Sequence, residues 1–309
     1  MNRAGYDVQL AAGTITAGGT LGILIPPSIM LVVMGPILNV PVTDLFAAAI
    51  MPGLMLAALY TGYTLIRCHL NPSLGPVVPD DLIPDSMREV WIEFFKGLVP
   101  PVLLVGSSLG SILAGLATPT EGAAMGAVGA IFLTLAYRKL NFKVFQEALL
   151  KTLEITTLIM ILVCASNFFG SVFSRLGTPT MITEALMLLD LPPTAILLIV
   201  MALIFLLAWP LEWVPIVLII IPIVLPLIEQ LGFNLTWFGI LVAVNLQTAW
   251  LSPPVALSAY FLKGVAPDWD LSDIYKGMMQ FMAIQVVGLA LIIIFPQIVL
   301  WLPTYLYGN

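Results

Sequence analysis

Charge is what this chain has least of. Only 9% of its 309 residues are Asp, Glu, Lys or Arg, and 60% are hydrophobic. A soluble domain carries about 25% charged residues, so too few remain here to cover a water-facing surface. Histidine occurs once, as His69, and the two cysteines, Cys68 and Cys164, have no paired spacing. That scarcity excludes a disulfide framework and a zinc knuckle, and the absence of G-x-S-x-G with a single histidine excludes a Ser-His-Asp hydrolase. His69 stands two residues after Arg67 at the end of an apolar run and reads as an interfacial residue. The acidic excess, a net charge of −6, is dispersed, and no basic stripe offers a surface to nucleic acid. The opening MNRAGYDVQL does not read as a cleavable signal peptide.

Apolar sequence is what the chain has in plenty, with a mean hydropathy of +1.07. Runs such as Ala195–Leu211 and Val214–Leu227 approach the roughly 20 residues that a spanning helix needs. The expected fold is an all-α polytopic membrane protein. Hydropathy and breakers predict a broken pair over 10–25 and 27–38, then spans near 45–67, 98–116, 121–137, 147–170, 194–210, 214–229, 236–251 and 278–301. Residues 69–85 form a Pro-rich polar loop. Residues 86–97 begin with a capping box, Ser86 and Glu89, and place Val90, Trp91, Phe94 and Phe95 on one face, as a helix lying in the interface does. Arg138, Lys139 and Lys143 mark their short loop as cytoplasmic.

The chain also resembles itself. GYDVQL at 5–10 matches GFNLTW at 232–237. Gly5 precedes Pro26-Pro27 by 21 positions, and Gly232 precedes Pro253-Pro254 by the same 21. TDLF at 43–46 then matches SDIY at 272–275. Three anchors in order at nearly constant spacing predict two related units. The division expected is 1–70 for the C-terminal half of a first repeat, 71–96 for a loop and interfacial helix, and 97–309 for a second repeat. The second unit has a long hydrophobic lead-in, roughly 97–231, and the first has four residues. Equivalence of the two predicts at least about 100 further residues before Met1, carrying a small-residue hairpin like that at Thr118–Glu121.

The two Pro-Pro pairs lie inside apolar runs, where lipid tolerates unsatisfied backbone least. Proline removes a donor and frees carbonyls. Broken spans at matching positions of two repeats point to the binding site of a secondary transporter, where freed carbonyls can hold Na⁺. Gly18, Gly19 and Thr20 flank the first break, and Asn245, Gln247 and Thr248 the second; these are the candidate Na⁺ residues. Pro27, Ser28, Ser252 and Pro254 are candidate substrate residues at the breaks. Taken singly, each motif reads better as a kinked helix whose Ser and Thr patch its own backbone; the two together, in matching repeats, read better as a transport site. The third element is ATPTE, 117–121, with Thr118 as N-cap, Pro119 at N1 and Glu121 completing a capping box. It is either the tip of a re-entrant hairpin, with Thr118 and Thr120 facing substrate, or a tight turn at the membrane surface. A second Thr-Pro-Thr at 178–180 follows Arg175 and Gly177 and reads as a surface cap. Glu121, Glu154 and Glu212 fall in or near apolar runs; Glu212, between tryptophans, reads as an interface anchor.

GTLGILIPPS, ATPTE and NLQTAWLSPPVALSAYFLKGVAP resemble the large membrane subunit of tripartite ATP-independent periplasmic (TRAP) transporters, over essentially the whole chain. The GGTLGILIPPS and YFLKGVAP forms are similar to members for 2-oxoacid or mannitol/chloroaromatic-type substrates. The resemblance implies an elevator-type, Na⁺-coupled carrier in a bacterial or archaeal inner membrane, with no cofactor beyond the coupling ion. It further implies a small TRAP membrane subunit and a periplasmic substrate-binding protein that delivers an organic anion, of C4-dicarboxylate or 2-oxoacid type. The alternatives are a binding-protein-independent anion/Na⁺ symporter of a related two-hairpin fold, or a non-transporting truncated membrane fragment.

Overall fold

The structure, a computed structural model, describes residue 1 and residues 4–77, 86–253 and 256–308. Every regular element among them is a helix. Six helices are long and apolar enough to cross a membrane, and a bent pair makes a seventh. This is an all-α polytopic membrane protein. It packs as two compact units, one formed by Met1–Pro76 with Val163–Asn309 and the other by Val77–Leu162.

The larger unit opens with Gly5 in the left-handed region, φ +72°. The Leu10 N–H donates to Asp7 Oδ1 at 2.8 Å, which starts α1 (Val8–Leu24). After the break comes α2 (Ile29–Leu38), bent 43° from α1, and then α3 (Val42–Leu70) with Asp44 in its first turn. The smaller unit holds α4 (Met87–Leu113), α5 (Pro119–Ala136) and the first part of α6 (Phe142–Arg175). The chain then returns to the larger unit through α7 (Thr178–Met187) and α8 (Pro193–Ala208). A span over Trp213–Gln230 follows, built from α9 (Trp213–Pro215), a π turn over Ile216–Ile220 and α10 (Ile221–Gln230). Gly232, φ +74°, then precedes Asn234, whose side chain accepts from the Trp237 N–H at 3.0 Å and starts α11 (Leu235–Leu246). The last elements are α12 (Thr248–Leu251), α13 (Leu257–Val265), α14 (Leu271–Ile294) and α15 (Gln297–Tyr307). Asp273 lies in the first turn of α14, as Asp44 does in that of α3.

The core of the larger unit is α11, in which every residue from Trp237 to Leu246 is buried. Its indole is tied down as well: Trp237 Nε1–H donates to the Ile292 carbonyl of α14 at 3.1 Å. Lipid is as apolar as leucine, so close backbone approach at small residues has to hold such helices together. Such an approach joins α1 to α14. A Cβ at Gly277 would lie 2.1 Å from the Gln9 carbonyl oxygen, and one at Gly13 2.6 Å from that of Gly277.

Three sequence expectations change. Residues 86–97 are not a separate interfacial helix: they run on into 98–113 as α4, through Pro100 and Pro101. The Ser86 capping box does not form, since Ser86 is the N-cap residue without a side-chain cap bond. The span expected over 278–301 starts earlier, at Leu271, where Asp270 caps it, and stops at Ile294. Pro296 has no N–H to give back to the Ile292 carbonyl, which Trp237 takes instead, and α15 begins beyond it.

In the smaller unit α4 and α5 form a hairpin. Gly115 at φ +69° lets the chain reverse, with the Gly115 N–H donating to Ile112 O and the Leu116 N–H to Ser111 O. Ser108 Oγ–H donates to the Gly122 carbonyl at 2.7 Å and pins one helix to the other. The expected Thr118–Glu121 capping box is complete. The Thr118 N–H donates to Glu121 Oε2 at 2.8 Å, and the Glu121 N–H donates to Thr118 Oγ1 at 3.3 Å. Thr118→Ala should therefore destabilise the hairpin by about 1 kcal/mol. Thermal melting checks this, with Thr118→Ser expected to retain most of the wild-type value.

Candidate functional site

The first break resolves itself locally. Pro26 and Pro27 offer no N–H to the carbonyls of Gly22 and Ile23, four residues back. Ser28 supplies one substitute, donating its hydroxyl to the Ile23 carbonyl while capping α2 by accepting from the Leu31 N–H. The Pro26–Pro27 bond is cis. Gly18, Gly19 and Thr20 sit inside intact α1, one to two turns before the break. Thr20 is buried and donates to the Ala17 carbonyl at 2.8 Å, whereas Gly18 and Gly19 lie on an exposed face with open space around them. Pro27 is exposed and Ser28 buried.

The second break differs in kind. The helix is interrupted first at Gln247, between α11 and α12, and again at Ser252, whose backbone is extended. Asn245, Gln247, Thr248 and Ser252 are all essentially inaccessible, at 0–1% exposure. Pro253 is part-buried, while Pro254 lies outside the described residues. Six buried side-chain polar atoms have no partner among the described residues, and three of them fall here: Asn245 Oδ1, Gln247 Nε2 and Ser252 Oγ. Such a group costs about 1–3 kcal/mol when left unpaired, and a cluster of them over eight residues asks for a ligand.

The rest of the network fixes which atoms are free. Asn245 Nδ2 donates to the Met201 carbonyl of α8 at 2.8 Å, so its oxygen is the unpaired end. Gln285 of α14 donates from Nε2 to both the Val244 carbonyl, at 2.8 Å, and Gln247 Oε1, at 2.9 Å. Gln247 is thereby left with its NH₂ free. Tyr60 of α3 completes the chain, donating to Gln285 Oε1 at 3.4 Å. Thr248 spends its hydroxyl on the Asn245 carbonyl, at 2.6 Å. A buried free acceptor suits a cation; a buried free NH₂ suits an anion.

Gln285 and Tyr60 went unnoticed in the sequence. The available signal was a lone amide in the apolar FMAIQVVG of a spanning helix, since polar side chains at membrane depth are seldom idle. Thr118 and Thr120 are exposed residues of the smaller unit, at the start of α5. Glu154 forms an exposed pair with Lys151, 2.8 Å apart.

Comparison with known proteins agrees with this architecture. The sequence model of the family described as "Tripartite ATP-independent periplasmic transporter, DctM component" matches residues 1–298. The C4-dicarboxylate TRAP transporter large permease protein DctM of Pseudomonas aeruginosa is 30% identical over 309 residues, covering 99% of this chain and 70% of that protein. The 2,3-diketo-L-gulonate TRAP transporter large permease protein YiaN of Escherichia coli is 27% identical over 305 residues, 97% of this chain and 69% of that protein. The sialic acid TRAP transporter permease protein SiaT of Haemophilus influenzae is 26% identical over 309 residues, 99% of this chain. The chain spans 48% of the length of SiaT and about 70% of the other two. All three are named as permeases, none as an enzyme. With a match across nearly its whole length, the chain belongs to the DctM component family of the tripartite ATP-independent periplasmic transporters.

Proposed function

We propose that the chain is the membrane-transport subunit of a Na⁺-coupled, binding-protein-dependent secondary transporter in the inner membrane, importing an organic carboxylate of C4-dicarboxylate or 2-oxoacid type. Its partners in this reading are a small TRAP membrane subunit and a periplasmic substrate-binding protein. The chain carries two related repeats; supporting this, Gly5 and Gly232 share a left-handed backbone, and Asp7 and Asn234 cap corresponding helices. The observation that carries the transport reading is the second break, with its free buried acceptor on Asn245 and free buried donor on Gln247.

A cation bound beside Asn245 and Thr248 would be costly to desolvate alone, and so would an anion beside Ser252 and Gln247, which the sequence grouped with the Na⁺ residues but whose free end is a donor. Together each lowers the cost of the other. Binding of Na⁺ and carboxylate is then cooperative, and linkage makes the cooperativity reciprocal. Gly18, Gly19 and Thr20 remain the proposed counterpart at the first break, with Pro27 and Ser28 beside them.

The test is uptake by the complete complex in proteoliposomes, with its binding protein, as a function of Na⁺ concentration. Loss of one ligand oxygen in Asn245→Ala should raise the half-saturating Na⁺ concentration about tenfold, equivalent to about 1.4 kcal/mol. Thr248→Ala should do less, because that hydroxyl already serves the Asn245 carbonyl. Wild-type uptake that ignores Na⁺ would sink the coupling.

A further inference from the structure

One cavity of the larger unit lies outside the helix breaks. It is an open cleft of about 640 Å³ between the end of α6, the start of α7 and the π turn with α10, with Arg175 exposed at its edge, a volume in the range of small-molecule sites. Its walls are of two kinds. Ser166, Asn167, Ser174, Arg175 and Thr180 line one side; Leu218, Pro222, Ile223 and Pro226 line the other. Arg175 is the one charged residue in the lining and makes no ion pair among the described residues. Pro179 and Thr180 belong to the first turn of α7, so the positive end of that helix faces the same space. Pro179 and Thr180 of the expected surface cap thus border this space.

Ser166 points the same way independently. It is 5% exposed, lines the cavity, and has no hydrogen-bond partner among the described residues. Ser171, one turn on, donates to the Asn167 carbonyl at 2.7 Å. A hydroxyl that leaves its own helix unbonded, on a residue otherwise buried, is available to a ligand in the space it borders. The facing wall contains Leu218, on the five-residue π turn, a distortion frequent at functional sites.

We propose that this cavity is an organic-anion subsite that selects monocarboxylates. The carboxylate sits on Arg175 and the α7 N-terminus, the carbon skeleton lies against Leu218 and Pro222, and Ser166, nine residues earlier on the same helix and so about 13 Å away, meets an oxygen at the other end of an extended ligand. One cation with no second basic residue in the lining matches one carboxylate; a dicarboxylate would bring a second charge without a partner. The proposal rests on the reading of the chain as a carboxylate transporter and narrows its substrate.

Equilibrium binding to the detergent-purified complex, with Na⁺ present, tests it. The probes are 2-oxobutanoate, lactate and gluconate against succinate and malate, with Na⁺-driven uptake measured in parallel. The tightest ligand should be a monocarboxylate. Arg175→Gln should weaken its binding about tenfold or more, and Arg175→Lys less, since the point charge remains. Ser166→Ala should weaken gluconate binding about threefold while leaving lactate binding and the melting temperature unchanged, because only the longer acid reaches it and the hydroxyl holds nothing in the fold. A dicarboxylate as the tightest ligand, no monocarboxylate binding, or unaltered binding in Arg175→Gln each overturns the subsite. If Na⁺-driven carboxylate uptake persists in those cases, the transport reading stands without it; if wild-type uptake is absent, that reading fails too.

Discussion

Gly277→Ala is expected to abolish most of the folded protein, although it adds a single methyl group. The Cβ it introduces would lie 2.1 Å from the Gln9 carbonyl oxygen, 2.9 Å from its carbon and 3.0 Å from the Gly13 nitrogen. All three are backbone atoms, so no rotamer change relieves the clash and α1 itself has to move. Overpacking costs about 1–3 kcal/mol where side chains can yield; here about 3 kcal/mol or more is the expectation. Displacing α1 would also strain the Gln9 Nε2–H bond to Asp273 Oδ1, 3.0 Å long, and the contact between Gly13 and the Phe281 ring. The control is Gly97→Ala in α4, where nothing lies within 4 Å of the added carbon. That change should be neutral or stabilise by about 0.5–1 kcal/mol. Thermal melting of the detergent-purified proteins compares them, and equal melting temperatures would refute so close a crossing of α1 and α14.

Why the sequence shows the breaks but not this crossing follows from the range of the interactions. Asp7, Asn234 and Thr118 cap helices by bonding a backbone N–H three residues on, a purely local geometry that survives in the residue order. The proline pairs are visible for the same reason: each acts on a carbonyl four residues away. Ser86 shows the limit of such local signals, because the residues of a capping box are present and the bonds are not. Pro296 was obscured by the apolar residues on both sides, which hydropathy averages over. Gly277 has no local signature at all. Its role depends on Gln9, 268 positions earlier, and the repeat match places Asp273 opposite Asp44 without bringing α14 onto α1. Arg175 was legible as a basic residue near a helix end, but the cavity it lines needs α10 folded back against α7.

Gln285→Leu should disable the second break even where the protein still folds. Gln285 is fully buried, and its one amide serves three groups: the Val244 carbonyl of α11, Gln247 Oε1 at the interruption just beyond it, and the Tyr60 hydroxyl of α3. Leucine fills nearly the same volume and bonds none of them. In water-soluble proteins each orphaned group costs about 1–3 kcal/mol, whereas bonds between membrane helices average about 0.6 kcal/mol. The expected loss for three bonds is therefore about 2 kcal/mol or more, which leaves a foldable protein. The functional loss should be larger, because Gln247 is then free to rotate and the Val244 carbonyl seeks a new donor beside the Asn245 oxygen. The half-saturating Na⁺ concentration should rise about tenfold or more, and the reciprocal coupling between Na⁺ and carboxylate should weaken with it. Gln285→Glu separates the two roles: its carboxylate can still accept from Tyr60 but cannot donate to Val244 or Gln247. If orientation of Gln247 is what matters, Gln285→Glu should fail as badly as leucine in Na⁺-dependent uptake. A Gln285→Leu complex with the wild-type Na⁺ response and only a lower melting temperature would reduce Gln285 to a packing residue.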